Sequence, residues 1–305
     1  MTGTASLDPA AARTRPAQWL FYPVVMAGAI ALAWGLQRAG LPLGIAAYLA
    51  VAASGLAVFF GERLIPYRLD WSPTGPELLD DGLFLMIVQV LLPLGLTWLA
   101  VRLTQGALSA AGLTLHLWPR AWPLWAQVVL KIATGDFLRY WLHRWSHEHG
   151  PLWRLHAVHH HPRKLYAVNV FRFHPLDKAL QFLGDTLPFI LLGVGPDVLA
   201  YYFVVYATGG FFQHSNLDVR YGWLNYLVVG PELHRWHHSR RVAESNANYA
   251  HTFVFWDLLF GSYRRPVDRQ VDELGLVDDG YPSGFLPQLW APAQRTGSAI
   301  DHARG

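Results

Sequence analysis

Residues 19–36 read WLFYPVVMAGAIALAWGL, a run without one charged side chain. Laid out as a helix it is about 27 Å long, close to the thickness of a bilayer's hydrocarbon core. In lipid the backbone has no water to bond, so a run of this kind folds as a helix that satisfies its own N–H and C=O groups. Arg13 and Arg15 ahead of it give a superficial likeness to a secretion signal. The run exceeds the roughly 7–15 apolar residues of such a signal, and a second span follows almost at once. It therefore reads as a retained membrane helix.

Comparable runs recur at residues 41–60, 83–101 and 122–142. A fifth apolar stretch, about residues 176–212, is broken by Gly193-Val-Gly-Pro196 into halves too short to cross independently. It reads as a helical hairpin that enters the membrane and returns. Only 15% of the chain is charged and 52% is hydrophobic, against about 25% charged in soluble domains. The fold class expected is all-α: a polytopic membrane protein of about four transmembrane helices plus the hairpin. The expected organisation is a mobile tail (1–17), transmembrane helices (18–142), a metal-binding region containing the hairpin (143–265) and a C-terminal tail (266–305).

Cations flank the spans rather than forming a basic stripe, which argues against a nucleic-acid partner. Arg13, Arg15, Arg63 and Arg68 lie on one side by this topology, together with Arg144, Arg154, Arg163, Lys164, Arg172, Arg240, Arg241, Arg264 and Arg265. The positive-inside rule then puts the N-terminus, the region after His143 and the C-terminus in the cytosol. Arg240 and Arg241 are expected at the membrane face, against lipid phosphates. Arginine far outnumbers lysine, which suits a GC-rich bacterial source and hence an inner membrane.

Thirteen of the 15 histidines lie between His143 and His251. They form ordered groups: His143 and His147 in HRWSH, His156, His159 and His160 in HAVHH, His214 in QHSN, and His234, His237 and His238 in HRWHH. On a helix, positions i, i+3 and i+4 share a face, so each group aims its rings at a common region. A lone histidine near a membrane surface is usually an interfacial or capped residue. Nine imidazoles near one bilayer depth are not, because burying them unpaired is costly. They read as metal ligands, and nine exceed the four to six that one ion takes, so two ions are implied.

Imidazole suits zinc, copper, iron and nickel alike. No HExxH occurs, which disfavours a zinc protease. The chain has no Cys, which excludes Cys-ligated zinc and iron–sulfur centres. Two other functions fit a metal-binding membrane protein. A metal transporter would place ligands within spans, often in repeats. A di-zinc lipid hydrolase would need a carboxylate base, for which Glu148 and Glu232 are the nearest candidates in sequence.

The order HxxxH, HxxHH, single His, HxxHH resembles the fatty acid hydroxylase and sterol desaturase superfamily of membrane di-iron oxygenases. Asp136, Tyr140 and His143 in DFLRYWLHRWSH look like that family's first motif. Asn248-Tyr249 followed by Trp256-Asp257-Leu-Leu-Phe-Gly261 looks like its last. The resemblance covers residues 135–263. It implies two iron ions held by His143, His147, His156, His159, His160, His214, His234, His237 and His238, with zinc as a substitute metal. It also implies O2 as co-substrate and hydroxylation or desaturation of a C–H bond in a lipid, whether fatty acyl, sterol-like or other. Electrons would come from a separate reductase, cytochrome or ferredoxin. Some members carry a further histidine one turn before the single one, where this chain has Gly210.

Around the ligands, Asp136 is a candidate acceptor for a second ring N–H, or else an ion-pair partner of Lys131 or Arg139. Tyr140 shares its helical face. Asn169 and Asn248 are candidates for bonds to ligands or substrate, or for loop capping. His174 sits at a family-like position outside the triplets.

Overall fold

The computed structural model describes residues 16–108, 110–111 and 117–294; residues 1–15 of the expected tail (1–17) and the chain end at 295–305 lie outside them, and residues 16–17 are helical. Within the described residues the architecture is all-α, and pairing between extended segments is limited to isolated bridges such as Pro66–Leu217 and Val228–Phe253.

α1 (Pro16–Arg38) and α2 (Leu43–Leu64) are joined by a turn in which Gly40 takes φ 92°. They meet through small residues, Ala29 and Ala33 clustering with Ala47 and Ala50, the close-approach chemistry of helices packed in lipid. Their outer faces expose Leu20, Val24, Trp34, Leu49, Leu56 and Phe60, as a lipid solvent allows.

α3 (Gly75–Leu83) starts with a capping box, Thr74 and Glu77 bonding reciprocally across the first turn. It runs through a wide-turned segment, Phe84–Leu91, into α4 (Leu92–Leu103). Pro93 has no N–H to offer Gln89, and the Leu92 N–H bonds back to Ile87 instead, so the ladder slips by one residue without breaking.

Three helical stretches are long and apolar enough to cross a membrane among the described residues: Pro16–Arg38, Leu43–Leu64 and Gly75–Gly106. The fourth expected span differs. Its helix forms, as α5 (Leu124–Glu148), but its inner face carries Lys131, Asp136 and Arg139, all buried. Tertiary packing, not lipid, surrounds that face. α5 turns at His149 into α6 (Gly150–His160).

The stretch expected as a hairpin consists of two helical arms. α7 (Pro175–Asp185) and α8 (Leu187–Leu191) form one, α9 (Pro196–His214) the other, and Gly193 takes φ 82° at the break. α9 packs on α1 and α2, where Ser54 Oγ and Thr208 Oγ1 are 2.9 Å apart. Buried Glu62 at the end of α2 accepts the N–H groups of Ala167 and Asn216, both at 2.7 Å.

Four short α-helices follow among the described residues: α10 (Pro231–His237), α11 (Val242–Ser245), α12 (Phe255–Leu259) and α13 (Phe285–Trp290). The segment after Pro266 folds back over the histidine region. Val271 and Leu274 pack with Trp71, Leu165 and Trp236, and the Phe285 ring meets Phe84 at 4.8 Å. Arg240 pairs with Asp279 at 2.8 Å and Arg241 with Asp272 at 2.6 Å, two acidic residues of this segment.

Candidate metal centre

α5, α6, α9 and α10 end around one buried region, and each delivers histidines to it. Their donor nitrogens fall into two groups: His143, His147, His156, His160 and His237 in one, His159, His214, His234 and His238 in the other, with all atoms of a group within 4.8 Å of one another. The helical spacing explains the division. The i, i+4 pairs His143/His147, His156/His160 and His234/His238 each stay together, whereas His159 and His237, between or beside them, turn to the opposite group. The two HxxHH motifs therefore bridge the groups, and the rings of His160 and His238 stack at 4.4 Å across them.

Outer hydrogen bonds set the direction of six rings. Nδ1 of His143, His159 and His237 meets the carbonyl oxygens of Tyr249, Arg172 and Ala247 at 2.7, 3.2 and 2.8 Å. A carbonyl only accepts, so each Nδ1 carries the proton and each Nε2 keeps its lone pair. His156 Nδ1 bonds the Asp177 carboxylate at 2.9 Å. His147 and His214 use the amide oxygens of Asn246 and Asn169, at 3.1 and 2.9 Å. Partners of this type fix a ligand's tautomer and orientation.

Nε2 atoms of these and neighbouring rings converge. His147 and His160 bring theirs to 3.2 Å, His159 and His214 to 3.3 Å, and His234 and His238 to 3.1 Å. Two nitrogens each about 2.1 Å from one ion lie about 3.0–3.4 Å apart at bond angles between square and tetrahedral. Nε2 of His143, His156 and His237 is buried with no hydrogen-bond partner, an expensive state for nitrogen lone pairs. Donor type, spacing and orphaned atoms all fit a pair of metal ions.

The electrostatics agree. Burial, reinforced by neighbouring imidazoles, holds His159, His160, His234 and His238 well below the ordinary histidine pKa. Burial lowers His214 and His237 to about 3. The rings are thus neutral at physiological pH, the form that binds metal.

Of the supporting residues, Asn169 does touch a ring, that of His214. Asp136 does not: its Oδ2 accepts the backbone N–H groups of Thr252 and Phe253 at 2.9 and 2.7 Å. Tyr140 places its hydroxyl 2.8 Å from Ser262 Oγ. His174 caps α7, accepting from Leu176 N, and bonds the Leu289 carbonyl. Asn248, at φ 55°, pins its loop to Leu233 and Arg264. It acts on the rings through its neighbours, since Asn246, Ala247 and Tyr249 orient His147, His237 and His143. Asp257 accepts the N–H groups of Tyr249 and Ala250 at 2.8 and 3.0 Å, completing this clamp. The hydrolase bases are committed elsewhere. Glu148 pairs with Arg144 at 2.8 Å, and Glu232 binds Tyr221 N, Asn225 and Arg265.

Asp177, Asn246 and Asp257 as orienting groups escaped the sequence reading. Asp177 sits 21 residues from its histidine and Asn246 sits 99 from its own, so spacing carries no signal. Asp177→Asn is expected to lower metal occupancy or turnover about 10–100-fold, measured as product formed and metal bound per chain.

A family model described as fatty acid hydroxylase matches residues 128–262. Ornithine lipid hydroxylase OlsE of Rhizobium tropici is 35% identical over 240 residues, covering 77% of this chain and 72% of that protein. Alkylglycerol monooxygenase of Danio rerio is 29% identical over 174 residues, 57% of this chain and 36% of its own length. A Delta(7)-sterol 5(6)-desaturase of Aspergillus fumigatus is 32% identical over 141 residues, 46% and 40% of the two chains. The chain thus spans less than half the length of the last two. No solved structure matches. By its matched region, its coverage of a relative and its paired histidine groups, the chain belongs to the fatty acid hydroxylase family of membrane oxidoreductases.

Proposed function

We propose that the two imidazole groups hold two iron ions and that the protein hydroxylates a C–H bond of a membrane lipid with O2. The observation that carries this reading is the division of nine histidines into two adjoining groups with converging Nε2 atoms. Bound iron would supply the redox chemistry toward dioxygen that zinc lacks. The protein's own part is to keep the donors neutral, fix each ring through its Nδ1 partner and exclude water with the apolar helices around the site. Hydroxylation rather than desaturation is favoured by the likeness to OlsE over 77% of this chain, since that protein is named a lipid hydroxylase.

The cation distribution supports a cytosolic centre in a bacterial inner membrane, and the two-armed segment from α7 to α9 supports an inserted hairpin. Electrons come from a separate reductase or carrier, since the chain has no Cys for a cluster of its own. The test compares total lipids of cells expressing the chain with those of a deletion strain. Expected is an oxygen-dependent appearance of lipid one oxygen atom heavier. An unchanged lipid profile in aerobic expressing cells argues against the activity.

A further inference from the structure

We infer that Lys178 is an anion-recognition residue for the substrate, and that the lipid carries a carboxylate or phosphate near the carbon to be oxidised. This rests on the oxygenase reading above and names its substrate class. Two stripes descend from the imidazoles. On α5, Lys131, Gly135 and Arg139 precede His143 at four-residue steps. On α9, Tyr202, Tyr206 and Gly210 precede His214 at the same step. α5 packs against both α9 and α7, and Lys178 of α7 reaches into the region between them.

Its ammonium lies 5.6 Å from the centre of the Tyr206 ring and 5.9 Å from that of Phe173. Each of these rings is stacked on a histidine: Phe173 on His159 at 4.1 Å, and Tyr206 on His251 at 4.0 Å. Lys178 is thus one aromatic ring away from a histidine of the second group. Gly210 keeps the wall bare between Tyr206 and His214; an added side chain there meets Val170 at 3.6 Å and His251 at 4.0 Å.

The other charges in this region are accounted for. Arg139 pairs with Asp185 at 3.1 Å. Lys131 donates to the Asp185 carbonyl and sits over the Tyr202 ring. Asp177 holds His156 and Gln181, and Asp136 holds the backbone at residues 252–253. Among the described residues Lys178 is the cation of this set with no hydrogen bond or ion pair in the protein. Asp185 and Asp177 act on this half-buried ammonium through their fields without a direct bond, against the opposing charge of Arg139; between aromatic faces it lacks a bonded counter-ion, and an anion on the ligand completes it.

Binding of four lipids to purified, metal-loaded protein in neutral detergent tests this. The probes are an N-acylated amino-acid lipid with a free carboxylate, its methyl ester, phosphatidic acid and diacylglycerol. The wild type is expected to hold at least one anionic lipid about tenfold or more tighter than its neutral counterpart. Discrimination in one pair alone identifies carboxylate or phosphate as the group read. Lys178→Met should equalise the affected pair, and Lys178→Arg should restore the preference. Equal retention of charged and neutral lipids by the wild type overturns the proposal, as does full discrimination in Lys178→Met. The readout needs neither O2 nor an electron donor. Oxygen-dependent product without charge preference would remove Lys178's role and keep the oxygenase; charge preference without any oxygenated product would do the reverse.

Discussion

His159→Ala is expected to abolish measurable lipid oxidation while the protein still inserts into membranes. His159 Nε2 lies 3.3 Å from His214 Nε2, and its ring also faces His234 and His238. Among the described residues four histidines make up that group, so its loss leaves three donors and an open coordination position. Losing an orienting partner of a ligand costs about 10–100-fold; losing the ligand itself should cost at least about a hundredfold on the same scale. The first group keeps all its rings, so bound metal should fall by about half rather than vanish. The apolar contacts of α1, α2 and α9 do not involve this side chain, so membrane insertion should persist. Product formation and metal content, measured on the same membranes, check both halves of the prediction. Full activity would remove His159 from the ligand set.

Iron removal is the second large effect. Chelation should eliminate turnover, ferrous iron should restore it, and zinc should fill the sites without restoring it. The rings accept zinc as readily as iron, so occupancy alone does not distinguish the metals. Zinc has no accessible redox change and cannot supply electrons to dioxygen. A zinc-loaded protein that still oxidises lipid would contradict the redox reading; one that cleaves lipid would favour hydrolytic chemistry, although Glu148 and Glu232 are tied to arginines.

Much of the frame was legible in the sequence because it rests on local rules. Apolar runs of membrane length became α1, α2 and the stretch from Gly75 to Gly106. The Gly193–Pro196 break fell between α8 and α9. The 122–142 run formed a helix, but composition hid the direction of its charges: Lys131, Asp136 and Arg139 all turn inward to partners on α7 and in the loop before α12.

The histidine groups were legible as groups, since i, i+4 spacing places two rings on one face. Their division was not. Which way His159 and His237 turn depends on the carbonyls of Arg172 and Ala247, positions that only the tertiary fold brings near. The same holds for the clamp at residues 246–249, whose left-handed Asn248 and Asp257 anchor orient three rings at once. Asp136 looked like a partner for a histidine because it shares that helical face, yet two backbone N–H groups in the loop before α12 claim its oxygen first.

The most direct measurement is isotopic. Membranes containing the iron-loaded protein, an electron donor and lipid should be supplied with heavy-isotope dioxygen in ordinary water. The account predicts that each oxidised lipid carries one heavy oxygen atom, and that heavy water with ordinary dioxygen leaves the product unlabelled. Label arriving from water instead, or product forming without dioxygen, would contradict it.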